Sequence, residues 1–178
     1  MGTSIFLSYP KPFTQSQKDF IATLDELLKD RGYEPRTLGV TDYDMDAPLV
    51  AIRRLMLESN GVITVAFRRA LIVDGAGKPE TDDEYSINGK WLTSPWAHIE
   101  PAMAFQVGLP VLILREEGVL KEGMLEQGIL GTYMPVFDLD SSSLSGYLKS
   151  SEWNQLMRKW EAQVGAVVET KGRPPKLY

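Results

Sequence analysis

Val62-Ile63-Thr64-Val65-Ala66-Phe67, entered through Asn60-Gly61, is a run of β-branched and apolar residues with no polar alternation. Such a run reads as a strand buried on both faces, which is the pattern of a parallel sheet covered by helices. Upstream, Leu49, Ile52, Leu55 and Met56 recur at helical spacing behind Pro48. Further back, Tyr33 to Leu38 reads as another strand. Phe20, Ile21, Leu24, Leu27 and Leu28 form an amphipathic helix opened by a Thr14/Gln17 capping box and closed by Gly32. Before that helix stands Ser4-Ile5-Phe6-Leu7-Ser8-Tyr9, a first strand halted by Pro10 and Pro12.

Downstream, Ser94-Pro95 supplies an N-cap and a first helical proline for a helix through Phe105 that stops near Gly108. Pro110 leads into a fourth strand, Val111-Leu112-Ile113-Leu114, and Tyr133 to Leu139 reads as a fifth. Between these two, Val119 to Leu130 is helical in pattern, with Gly123 and Gly128 inside it. After Ser141-Ser142-Ser143, Trp153, Leu156, Met157, Trp160, Val164 and Val167 make the apolar stripe of a last helix. Asp74 to Thr93 is polar and Gly-rich without periodicity, a functional or mobile stretch.

The alternation predicts an α/β fold. It is a doubly wound, flavodoxin-like parallel sheet of about five strands in the order 2-1-3-4-5, with helices on both faces, in one domain over 1–171 and a flexible tail over 172–178. In such sheets the site lies beyond the carboxyl ends of the strands. The loop after Tyr9, the acidic loop Asp42, Asp44, Asp46 before Pro48, and the start of the Ser94 helix should therefore surround one crevice.

Composition narrows the chemistry. A chain of 178 residues with a formal net charge of −5 has no electrostatic reason to hold nucleic acid, and Arg53-Arg54 and Arg68-Arg69 read as solvated faces. Zero cysteines exclude a thiolate nucleophile, a disulfide framework and sulfur-ligated zinc. With no leader-like start and no apolar run of about 18 residues, the expected location is the cytoplasm, away from membranes.

The first strand ends in Ser8-Tyr9-Pro10-Lys11-Pro12, without the glycines of a phosphate loop, so Lys11 and Arg36 are the nearest candidates to meet a phosphate. The single histidine, His98, lies two positions from Glu100 and does not share its helical face. It reads as a surface or packing residue. Asp42, Asp44 and Asp46 lack the glycine and glutamate of a calcium loop, and no metal is expected. What remains is Trp96-Ala97-His98-Ile99-Glu100. The spacing of four puts the ring and the carboxylate on one helical face, an arrangement that also occurs on plain surface helices. Pro101 follows directly. Inside a helix it removes the bond to Ala97 and kinks the chain; otherwise it opens a shorter helix with Glu100 at its cap, and either way Glu100 is expected near the exposed end.

Phe6-Leu7-Ser8-Tyr9 together with Trp96-x-x-x-Glu100 resembles the Toll/interleukin receptor (TIR) domain family, over about Ser4 to Leu139. The family opens with a Phe-(Ile/Leu)-Ser-Tyr box, and its NAD-cleaving members carry Trp-x-x-x-Glu. The resemblance implies cleavage of the nicotinamide–ribose bond of NAD, with the product linear or cyclised, as in single-domain bacterial TIR proteins of anti-phage defence. It implies Glu100 as the catalytic residue, and Ser8, Tyr9, Lys11, Asp46 and Trp96 around the substrate. NAD is then substrate, with no further cofactor. Self-association through TIR surfaces and a separate effector or sensor protein are the implied partners. Here the sequence departs from the family at Pro10, where many such enzymes carry a basic residue, and at Ala66-Phe67, where a serine is usual. Two alternatives stay open: a non-catalytic TIR assembly module, and an N-glycosidase like the nucleoside deoxyribosyltransferases.

Overall fold

In the computed structural model, which describes residues 2–140 and 146–171, the run that begins at Val62 is β3 (Val62–Ala66), buried at every position. It lies between β1 (Thr3–Ser8) and β8 (Val111–Glu116), with Phe6, Leu7 and Ser8 opposite Val62, Ile63 and Thr64, and Val62 to Ala66 opposite Val111 to Arg115. β2 (Tyr33–Arg36) pairs outside β1, and β9 (Val136–Phe137) outside β8. Every pairing is parallel, and the order β2-β1-β3-β8-β9 is the predicted one. Pro35 sits within β2, which is tolerable because β2 is an edge strand.

Both faces are covered. Ile5, Leu7, Ile63, Val65, Leu112 and Leu114 pack against Phe20, Leu24 and Leu28 of α1 (Gln15–Asp30) and Trp153, Met157, Trp160 and Val164 of α4 (Ser151–Thr170). On the other face, Phe6 and Val62 meet Ile52, Leu55 and Met56 of α2 (Pro48–Leu57) and Ala104 of α3 (Trp96–Gln106), while Ala66 and Ile113 meet Ala97. The period-2 alternation along each strand thus assigns one helix pair to each side.

The Thr14 cap and the Gly32 stop of α1 form as the sequence predicts, and α4 has a further cap at Ser150. The Gln17 backbone N–H donates to Thr14 Oγ1 at 3.1 Å, that of Trp153 to Ser150 Oγ at 3.1 Å, and Gly32 takes φ of 85° at the end of α1. The Gln17 side chain reaches back one residue further than a capping box, accepting from the Phe13 N–H at 3.1 Å.

Three expectations change. Val119 to Leu130 is not a helix: its only helical piece is a 3₁₀ turn, Gly123–Leu125, because Gly123 and Gly128 stand at φ of 53° and 97°, outside the right-handed helical region. The second and fifth strands are shorter than Tyr33 to Leu38 and Tyr133 to Leu139. The polar stretch after β3 is a folded arm: β4 (Ala70–Leu71) pairs antiparallel with β7 (Trp91–Leu92), and β5 (Ala76–Gly77) with β6 (Tyr85–Ser86). Its root is fastened to the turn after β8, where the Trp91 N–H donates to Gly118 O and the Leu120 N–H to Trp91 O, both at 2.9 Å. The expected tail, 172–178, and Ser141-Ser142-Ser143 lie outside the described residues. Among the described residues, no helix is long and apolar enough to cross a membrane.

Candidate active site

β1 and β3 both deliver their carboxyl ends to the same edge of the sheet, and α3 begins there. The result is a crevice of about 390 Å³. One wall is Ser8, Tyr9, Pro10 and Lys11, another is Leu38, Pro48 and Ile52, and a third is Ser94, Trp96, Ala97 and Glu100, with Arg69 at the foot of the arm. Larger crevices of about 660 and 690 Å³ open elsewhere, beside Phe105 and Leu109 and beside Leu49 and Leu57. Neither holds a buried ionisable side chain.

Glu100 is 8% exposed, contrary to its expected place at an exposed helix end. α3 runs on through Pro101 to Gln106, and the start of the helix is tied to Ser94. The Ala97 N–H donates to Ser94 O at 2.9 Å, and that of Trp96 reaches Ser94 Oγ at 3.4 Å. Pro101 therefore neither ends nor starts the helix, and residue 100 faces the sheet.

Ser8, itself 3% exposed, donates its hydroxyl to Glu100 Oε2, joining two residues 92 positions apart. Burial raises the Glu100 carboxyl to about 7, and the Ser8 hydrogen bond pulls in the opposite direction by favouring the anion. At neutral pH this group is poised between carboxylate and acid, a state that ordinary surface carboxylates do not reach. Beside Ser8 in the sheet register lies Thr64, whose buried hydroxyl has no hydrogen-bond partner among the described residues. Trp96 is 37% exposed on the crevice wall. Tyr9 is half-buried, and burial raises its phenol, with a hydrogen bond to Thr37 opposing.

The crevice thus gathers Ser8, Tyr9, Lys11, Trp96 and Glu100, but not Asp46. The acidic loop is turned toward its own arginines: Asp42 binds Arg36 Nε at 3.1 Å, Asp44 binds Arg54 Nη2 at 2.8 Å, and Asp46 is exposed, its N–H donating to Asp44 Oδ1 at 3.0 Å. Arg36 also pairs with Glu58 at 2.8 Å, so it is already neutralised and lies outside the crevice. Arg69, in contrast, lines the crevice. The sequence offered one signal for that residue, its position just past the carboxyl end of β3. His98 stands off the crevice, with Nδ1 3.0 Å from where a Cβ on Gly123 would lie. Among the described residues, no group of three or more His, Asp or Glu is arranged to hold a metal ion.

No protein-family model matches the sequence, and no curated protein does. Among solved structures, the CMP N-glycosidase BcmB of Clostridium botulinum is similar at 18% identity and a TM-score of 0.49, over 86% of this chain and 99% of that one. The TIR domains of the activated Roq1 resistosome, which directly recognises the pathogen effector XopQ, are similar at 13% identity and a TM-score of 0.42, over 94% of this chain and 84% of that one. At these identities and TM-scores neither likeness says what this chain does.

Proposed function

We propose that this protein cleaves the N-glycosidic bond between nicotinamide and ribose in NAD, with Glu100 as the catalytic residue. The observation that carries this reading is the Ser8–Glu100 pair: a carboxyl held in the floor of a crevice, with its proton affinity raised to about 7. The TIR-like sequence motifs supply the choice of substrate.

The chemistry needs little else. Nicotinamide departs from a cationic ring as a neutral molecule, so its leaving requires no general acid. Positive charge develops on the ribose as the bond lengthens, and the Glu100 carboxylate stabilises it in a site where burial strengthens the interaction. The crevice wall at Trp96 offers an aromatic face beside the carboxylate for a flat cationic ring. Attack by water releases ADP-ribose, whereas attack by a nucleophile within the adenine moiety closes a cyclic product. Ser8 orients the carboxylate and biases it toward the charged form.

Incubating the protein with NAD over a range of protein concentrations, and resolving products by chromatography, tests this. Nicotinamide release by wild type should exceed that of Glu100→Ala by at least roughly a hundredfold, as for loss of a principal electrostatic group. Equal release at high protein concentration would refute the reading. Cleavage of nucleoside monophosphates but not NAD would move Glu100 to a nucleotide N-glycosidase.

A further inference from the structure

Arg69 follows β3 at the root of the arm and was expected to be merely solvated. Its backbone is fixed: the Arg69 N–H donates to Leu92 O at 2.9 Å, and the next residue, Ala70, pairs with Leu92 in the ribbon. The ribbon is in turn clamped by Trp91 to the turn after β8. The two consecutive arginines then part company. Arg68 is tied down, with Nε donating to Glu117 O at 2.5 Å, Nη1 meeting Asp140 at 2.6 Å, and the guanidinium lying 5.9 Å over the Trp91 ring. Arg69 is exposed and lines the crevice, and its guanidinium has no ion pair or hydrogen bond among the described residues.

Across the crevice, Lys11 is likewise exposed and unpaired among the described residues. Three arginines near this end of the sheet are neutralised: Arg36 by Asp42 and Glu58, Arg54 by Asp44, Arg68 by Glu116 and Asp140. Among the described residues, the only acidic side chain lining the crevice is Glu100, buried in its floor. A chain with net charge −5 thus keeps two uncommitted cations at the rim of one crevice. Cations left without partners around a concave site attract anions and raise their local concentration.

We propose that Arg69, with Lys11 opposite, is a specificity residue that binds phosphate, so that the glycosidic bond offered to Glu100 belongs to a nucleotide rather than a free nucleoside. The planar guanidinium suits two phosphate oxygens at once, and Lys11 adds a point charge. The arm's role is to hold the backbone of residue 69 at this edge of the crevice. This deepens the proposed function, resting on the Glu100 crevice being the site of bond cleavage.

The test separates binding from turnover. Calorimetric titration of Glu100→Gln protein with ADP-ribose and with adenosine, at about 0.1 M salt, is compared with Glu100→Gln/Arg69→Ala and Glu100→Gln/Arg69→Lys. Arg69→Ala should weaken ADP-ribose on the order of tenfold, Arg69→Lys should recover part of that, and adenosine should be indifferent to both. In the otherwise wild-type protein, Arg69→Ala should raise KM for NAD by a similar factor while kcat stays within about twofold, the mark of lost uniform binding. Undiminished ADP-ribose binding by the Ala variant overturns the proposal. So does an equal loss for adenosine, or an absence of ADP-ribose binding in the parent. Failure of wild type to cleave NAD overturns only the NAD reading, and the titrations still decide Arg69.

Discussion

At the scale of single residues, the site is a competition between burial and one hydrogen bond. Burial of Glu100 opposes its charge, and the hydroxyl of Ser8 favours it. If the ionised carboxylate performs the chemistry, kcat/KM for NAD rises with pH through about 7 and levels off above. Replacing Ser8 with alanine removes the interaction that favours the anion, so the proton affinity climbs and the rising limb moves to higher pH. A shift of about one pH unit corresponds to roughly 1.4 kcal/mol, within the range of a hydrogen bond to a charged group. A pH–rate profile of Ser8→Ala checks this. A limb that stays in place, or moves to lower pH, means that another group sets it.

Among the elements, β1, β3 and β8 were readable because buried parallel strands are unbroken apolar runs, α1 because its cap and stripe agree, and α4 by its stripe alone. The arm was not readable, since paired segments of two residues are too short to carry a period. One of its pairs is a tyrosine laid across a glycine: a Cβ on Gly77 would lie 2.2 Å from the Tyr85 ring. In residues 119–130 the apolar spacing mimicked a helix, and only the positive φ of two glycines shows why none forms. Glu100 was found by its spacing from Trp96, but its burial depends on α3 continuing through Pro101, and its contact with Ser8 joins elements that only the sheet order brings together. Gly61, at the entry to β3, also sets how closely α4 approaches the sheet. A Cβ there would lie 2.7 Å from Val164 Cγ2 and 2.8 Å from Trp160 Cζ2, both buried side chains. Gly61→Ala should destabilise the protein by about 1–3 kcal/mol, as overpacking does, seen as an earlier midpoint in urea with an unchanged slope. An unaltered midpoint would show that α4 can shift at no cost.

For the whole molecule, the titrating groups oppose one another in a way that sets the pH of greatest stability. Asp42 is held below the usual carboxylate range by its hydrogen bond to Arg36, and Glu58 is lowered by the same arginine. Their contribution is present above the values they have in the unfolded chain, and is lost as pH falls through the depressed ones. Glu100 and Glu116 behave in reverse, both raised by burial. Between the ordinary value of 4.5 and about 7, folded Glu100 holds a proton that the unfolded chain has released, so stability declines as pH rises through that window. The cost of the buried charge amounts to roughly 3 kcal/mol once pH exceeds 7. The net charge of −5 at neutrality adds self-repulsion, which vanishes near the isoelectric point of about 5.0. Thermal midpoints should therefore peak close to pH 5 and fall toward pH 8, a more acid optimum than most proteins show. Glu100→Gln keeps an acceptor for Ser8 but cannot ionise. It should raise the midpoint at pH 8 by roughly 5–10 °C and leave it nearly unchanged at pH 4.5, where the wild-type carboxyl is protonated when folded and about half protonated when unfolded. Calorimetric scans of both proteins across that range decide the matter. Equal midpoints at pH 8 would mean that the crevice solvates the carboxylate well, and the electrostatic advantage assigned to Glu100 in catalysis would lose its physical basis.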